Sequence, residues 1–282
     1  MPYEFFQIEK NDGVAKVTIN RPPSNAMSVE FTDELKSVAT EMKEDQQVRS
    51  VLFRSALPKY FITGADLKSL PPGLDLGDID PGLSPVEVMK IAIPRMTDHV
   101  TSIFGAVQEA VNIIEALPKP TVVIINGHAL GGGLEVCLAC DFRIMARGPA
   151  TIGLTEVNLG LMPVAGGTQR LTRILGRGKA IEMVILGRRL NADEAEAIGL
   201  IYKAVDPDEL EQEGEKLALD LAQRATCSIA KAKECIYRGE DLKLGEGLTL
   251  ELECIAELMQ TGDTVEGISS FIVGKKPEFK GC

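Results

Sequence analysis

From Thr121 the chain runs through a nearly unbroken apolar stretch, TVVIIN, directly into Gly127, Gly131, Gly132 and Gly133, and then into LEVCLACDF. A strand with one wet face alternates polar and apolar residues, so a run without alternation predicts a strand covered on both faces. The glycines break that strand, and LEVCLACDF has the continuous apolar character of a buried helix. A covered strand, a glycine turn and a helix form one unit of an α/β architecture. Glycines let the backbone approach a ligand closely, and a helix start points unpaired N–H groups outward. Such groups can hold an anion or a developing oxyanion.

The rest of the first half extends this reading. Ala15, Val17 and Ile19 alternate with Lys16, Thr18 and Asn20, which predicts a strand. Ser28 stands where it can N-cap a helix carrying Phe31, Leu35, Val38, Ala39 and Met42, with Glu30 in its first turn. Residues 48–53 predict a second strand, and the proline-, glycine- and aspartate-rich residues 71–85 an exposed loop. Ile103, Phe104, Val107, Val111, Ile114 and Leu117 predict an amphipathic helix stopped by Pro118 and Pro120. Strand signals end near residue 190. Asn191 and Glu194 have capping-box spacing, and helical patterns follow at 207–224, 228–238, 247–260 and 264–273. The expected organisation is a strand–helix core over 1–200 and a helical region over 201–282. These short helices enclose little core of their own, so they are expected to pack on another subunit.

Charge narrows the partners. The chain carries 30 basic and 41 acidic residues, a net of −11, which argues against a nucleic-acid partner. No run of 18 apolar residues occurs, so no membrane span is expected. MPYEFFQIEK has no apolar signal core, and the six cysteines fit reduced thiols, so a cytoplasmic protein is expected. Arg170, Arg173, Arg177, Lys179, Arg188 and Arg189 form a basic segment opposed only by Glu182. It reads either as a solvated helix face or as a holder of a small anionic ligand.

Several chemistries lack their residues. GRGKAI has Ile181 where a dinucleotide fingerprint needs its third glycine, and neither a Walker A loop nor a G-x-S-x-G elbow occurs. His99 and His128 share no metal-ligand spacing, and His128 reads as a hydrogen-bonded side chain beside the glycine turn. Cys137 and Cys140 lie in an apolar helix with no second pair, as buried thiols do, and no metal is expected. Two carboxylates stand out. Glu135 sits amid Leu134, Val136, Cys137 and Leu138, and Glu156 is the only ionisable residue between Arg147 and Arg170. Glu135 reads either as a first-turn carboxylate that favours the helix dipole or as a functional acid. Two lone carboxylates in apolar, glycine-bordered settings are the ingredients of paired acid/base chemistry, although spacing does not put them together.

Several stretches carry a resemblance: VTINRPPSNAMS, FITGADLKSL, PKPTVVIINGHALGGGLEVCLACDFRI, IGLTEVNLGLMPVAGGTQRLTRILG, GRRLNADEAEAIGLI and EGISSFIVGKKPEFK. Through them the chain resembles the enoyl-CoA hydratase/isomerase (crotonase) superfamily over nearly its whole length. That resemblance implies an α/β fold, a crotonase-like spiral of ββα units with a C-terminal helical trimerisation region, assembled as a homotrimer or a dimer of trimers. It implies an acyl-CoA thioester as substrate and no further cofactor, coenzyme A being part of the substrate. The oxyanion-hole amides map to Ala65 and Gly132, and Ala26, Thr63, Gly64, Asp66 and Leu67 map to the surroundings of the thioester. Glu135 maps to the group that activates water and Glu156 to the group that protonates Cα. Retention of both favours an enoyl-CoA hydratase. The alternatives are a Δ3,Δ2-enoyl-CoA isomerase, a hydratase of dienoyl- or cyclic enoyl-CoA, and an acyl-CoA-binding oligomer without turnover. Leu154 and Thr155 replace the Gln and Pro that precede the second glutamate in typical short-chain hydratases, which leaves the acyl group open.

Overall fold

Two residues with left-handed backbone, Asp12 (φ 49°) and Gly13 (φ 78°), close a hairpin between β1 (Phe6–Asn11) and β2 (Val14–Ile19). Positive φ at both positions is what a two-residue type I′ turn demands, and Asp-Gly supplies it at little cost. The computed structural model describes residues 3–66, 80 and 82–281.

From β2 onward one cycle repeats: a strand, a second extended segment outside that strand's sheet, then a helix. β2 leads to Met27, which bridges to Ala65, and then to α1 (Val29–Glu44), capped by Ser28 as expected. β3 (Ser50–Ser55) leads to β4 (Tyr60–Ile62), α2 (Pro85–Arg95) and α3 (Val100–Glu115). β5 (Thr121–Ile125) leads to β6 (His128–Leu130) and α4 (Gly132–Leu138). β7 (Phe142–Ala146) leads to β8 (Ile152–Gly153), a 3-10 turn at Glu156–Leu159, and α5 (Gly167–Ile185). α6 (Ala192–Ala197) and β9 (Lys203–Val205) follow, then α7 (Leu210–Ala222), α8 (Thr226–Gly239), α9 (Leu244–Leu258) and α10 (Gly262–Val273). The first strands of each cycle build a six-stranded sheet, β1-β2-β3-β5-β7-β9, parallel except at the hairpin. The second strands build a parallel three-stranded sheet, β4-β6-β8.

Both faces of the large sheet are covered, which explains the unbroken apolar run at 121–125. Val123, Ile125, Val51, Phe53 and Met145 join Phe31, Leu35 and Ile114 in one core. Val122, Ile124, Leu52 and Ile144 point the other way, against Leu210, Ala218 and Leu221 of α7. Here the structure corrects the sequence reading twice. β9 adds a strand after residue 190, three residues being too few to show a period. α7 covers the large sheet instead of joining the helices left without an internal partner.

Two further differences concern α2 and α8. Most of the loop expected at 71–85 lies outside the described residues, but its last residue, Pro85, already begins α2, with Ser84 and Glu87 forming a capping box. α8 docks through a buried ion pair. Lys233 Nζ donates to Asp141 Oδ2 at 2.7 Å, and Tyr237 OH donates to Asp141 Oδ1 at 2.8 Å. Among the described residues, no helix is long and apolar enough to cross a membrane.

Candidate active site

The small sheet brings the two carboxylates together. β6 ends in Gly131, whose φ of 54° and ψ of −125° suit glycine alone and swing the chain from the sheet into α4. Gly132 is the first residue of α4, so its N–H has no partner within the helix. Glu135, one turn on, is only 2% exposed. β8 runs beside β6 and hands the chain to the 3-10 turn that begins with Glu156. A Cβ on Gly131 would stand 3.0 Å from Glu156 Oε1, and one on Gly132 would stand 4.0 Å from Glu135 Oε2. Both carboxyl groups therefore border the same pair of glycines.

Their surroundings differ. Oε1 of Glu135 accepts two backbone hydrogen bonds, from Ala165 N–H at 2.8 Å and Gly167 N–H at 2.7 Å. Burial above all, with help from the nearby Glu156 and against the lowering effect of the two amides and of Arg170, pushes the carboxyl of Glu135 up to about 7. Glu156 is half-buried, and burial also raises its carboxyl above the ordinary range. Its Oε2 is shielded from solvent and has no hydrogen-bond partner among the described residues. An orphaned carboxylate oxygen is costly unless it is protonated or meets a ligand. One carboxyl is thus anchored by amides and the other is free to engage a third party.

The loop after β4 supplies the opposite wall. Met27 N–H donates to Gly64 O at 2.8 Å and Asp66 N–H donates to Met27 O at 2.9 Å. Residues 64 and 66 spend these groups on Met27, so the N–H of Ala65 between them turns to the other edge of the strand. A Cβ on Gly64 would lie 3.8 Å from Gly132 N, which sets this loop against the start of α4. Arg21 ties the loop down: its guanidinium donates to Asp66 Oδ2 at 2.9 Å and to Ala26 O at 2.8 Å. Thr63 Oγ1 reaches Ser24 O at 3.2 Å. The structure therefore gathers Ala26, Thr63, Gly64, Ala65, Asp66, Gly132, Glu135 and Glu156 around one turn, while Leu67 lies outside the described residues.

Other sequence signals resolve into structure. Cys137 and Cys140 are buried free thiols, and His128 Nδ1 lies 3.0 Å from Thr151 Oγ1. Acids answer most of the basic segment. Arg170 pairs with Glu115, Arg173 with Asp241, and both Lys179 and Arg188 with Glu182. The sequence reading missed Arg21 and the amides of Ala165 and Gly167. A backbone donor carries no residue-type signal, and only the glycines at 166–167 hinted at it.

Residues 9–74 and 89–282 match the enoyl-CoA hydratase/isomerase family. Among curated proteins, mouse enoyl-CoA hydratase domain-containing protein 2, mitochondrial, is 38% identical over 276 residues, covering 96% of this chain and 86% of its own length. Mouse methylglutaconyl-CoA hydratase, mitochondrial, is 34% identical, covering 97% of this chain and 81% of its own. Among solved structures, an enoyl-CoA hydratase from Bacillus anthracis superposes with a TM-score of 0.85 at 32% identity, covering 99% of this chain and 100% of its own.

Proposed function

The chain belongs to the enoyl-CoA hydratase/isomerase family, and from that premise we propose that it adds water across the α,β double bond of a 2-enoyl-CoA thioester, giving a 3-hydroxyacyl-CoA. The observation that carries this reading is the pair of carboxyl groups at one glycine turn. Glu135 is held by two amides with a carboxyl near 7, and Glu156 is raised and has an unpartnered oxygen. Glu135, ionised, takes a proton from water as its oxygen bonds to Cβ. Glu156, protonated, gives a proton to Cα. The thioester oxygen gains negative charge as electrons shift toward it, and the N–H groups of Ala65 and Gly132 are the donors that stabilise it. Ala26, Thr63, Gly64 and Asp66 line the approach of the thioester through a backbone that Arg21 holds in place. The reaction needs no cofactor beyond the coenzyme A of the substrate.

Purified protein offered a panel of 2-enoyl-CoA thioesters is expected to consume the conjugated thioester, read as loss of its absorbance. The same panel ranks linear, branched, dienoyl and cyclic acyl groups. Glu135 must be ionised to accept a proton, so kcat/KM is expected to fall as pH drops below about 7. Migration of a 3,4 double bond without any hydration would replace this reading with the isomerase.

We also propose assembly as a homotrimer or dimer of trimers. Leu244, Leu248, Leu252, Ile255 and Met259 form an exposed stripe along α9, and Val265, Ile268, Phe271 and Ile272 are exposed on α10. A patch of this kind on a soluble chain marks a contact surface. Sedimentation at micromolar concentration is expected to show an oligomer, and a monomer there would contradict the assembly.

A further inference from the structure

We propose that Arg170 is a positioning residue for Glu135, gripping the Ala165–Gly167 turn whose amides hold the Glu135 carboxylate. The proposal rests on the role given to Glu135 above. Arg170 is 8% exposed and lies in the first turn of α5. Its guanidinium makes a fork on Glu115 of α3, with Nε 2.7 Å from Oε1 and Nη2 2.9 Å from Oε2. Nη2 also donates to Asn112 Oδ1 at 2.7 Å. The remaining nitrogen, Nη1, donates to Ala165 O at 3.0 Å. One planar group thus ties α3 to the turn.

The turn is shaped for that contact. Gly166 has φ 97°, and a Cβ there would fall 2.0 Å from Nη1, so the guanidinium lies against a bare Cα. Holding the carbonyl of Ala165 fixes the peptide between Ala165 and Gly166, and with it the direction of the flanking N–H groups. Those are the N–H groups of Ala165 and Gly167 that meet Oε1 of Glu135. Lysine could supply the charge but not a flat fork reaching four acceptor oxygens at once.

The groups presented toward Glu135 can be named element by element. The turn after β8 brings Glu156 and α5 brings Arg170, with Glu115 of α3 behind it. Arg170 is the cation among these groups. Its removal acts on Glu135 in two ways of the same sign. The positive charge that favours the carboxylate disappears, and the amides that bind the carboxylate are no longer held in register. Both favour the protonated form.

The test uses the full-length protein and separates kcat, KM and pH dependence from stability. Arg170→Gln is expected to lower kcat at pH 7 about 10- to 100-fold, the range that loss of reactive geometry produces. KM should change less than about threefold, because the thioester contacts lie elsewhere. The acid limb of kcat/KM should move up by about one pH unit. Arg170→Lys should recover most of the limb and little of kcat. Glu115→Gln, which loosens the fork from behind, should shift the limb the same way by less, and it carries the test if Arg170→Gln does not fold. Arg173→Gln, one turn along α5 and paired with Asp241, removes an equal charge without touching the turn and should change neither. A folded Arg170→Gln or Glu115→Gln with lowered Tm but wild-type kcat and pH profile would overturn the proposal. Isotope-edited infrared titration of the Glu135 carboxyl, with Glu135→Gln subtracted, reads the same shift without turnover. It keeps the positioning claim testable even if the wild-type protein hydrates no enoyl thioester.

Discussion

Glutamine at position 135 is expected to lower kcat for hydration about 10²- to 10⁴-fold, and glutamine at 156 by a similar factor, the usual worth of general acid–base catalysis. The substitutions suit the question because they should spare the fold. The carboxylate of Glu135 accepts from two amides through one oxygen, Oε1, and a glutamine carbonyl oxygen can accept the same two bonds. The lost capacity is the ability to take a proton. At Glu156 the unpartnered oxygen becomes either a carbonyl or an amide, and neither delivers a proton to Cα. The double variant should lose less than the product of the two single losses, because groups that act on one water and one double bond act as a unit. The rival chemistry separates cleanly. Migration of a double bond moves one proton from carbon to carbon, and a single carboxyl suffices. An isomerase would therefore keep most of its activity as Glu135→Gln and lose it as Glu156→Gln. Near-normal hydration by either single variant would sink the paired-carboxyl reading.

That pairing could not be read from spacing alone. Glu135 and Glu156 lie 21 residues apart on different elements, and they meet because β6 and β8 are neighbours in the small sheet. Strands of two and three residues are too short to show alternation, so the sheet that builds the site left no periodic trace. The large sheet did leave one, since β2 alternates and β5 is continuously apolar, as burial on one and on two faces requires. The repeated strand–strand–helix cycle was equally hidden, because its helical connections vary in length. Charge alone left Arg170 either on a solvated helix face or at a small-anion site, and neither alternative included its burial against Glu115 of the same chain. α7 misled for the opposite reason: its apolar face looked unpartnered because the strands it covers lie far back in the chain. Resemblance supplied the roles proposed for Ala65 and Gly132, which rest on backbone N–H groups that no side chain announces.

Those N–H groups set the last expected result, and it needs a pair of variants. A backbone donor is not removed by truncating a side chain, but proline at 132 has no N–H to give. Position 132 suits proline in one respect. It is the first residue of α4, where the missing N–H would have had no helical partner and the fixed φ suits the helix. The added side chain is the complication. A Cβ at 132 would stand 2.9 Å from Met27 Sδ, the far end of a flexible side chain that must move aside. Gly132→Ala imposes the same Cβ crowding and keeps the N–H, so the ratio of the two variants removes the Cβ effect and reads replacement of the donor hydrogen by the proline ring. Loss of one oxyanion donor typically costs about 10²- to 10³-fold in kcat. Gly132→Pro is expected to fall below Gly132→Ala by that factor, with the loss in kcat and little in KM, because the oxygen carries its full charge only near the transition state. If folded Gly132→Pro turns over as fast as Gly132→Ala, the thioester oxygen is held somewhere other than the start of α4.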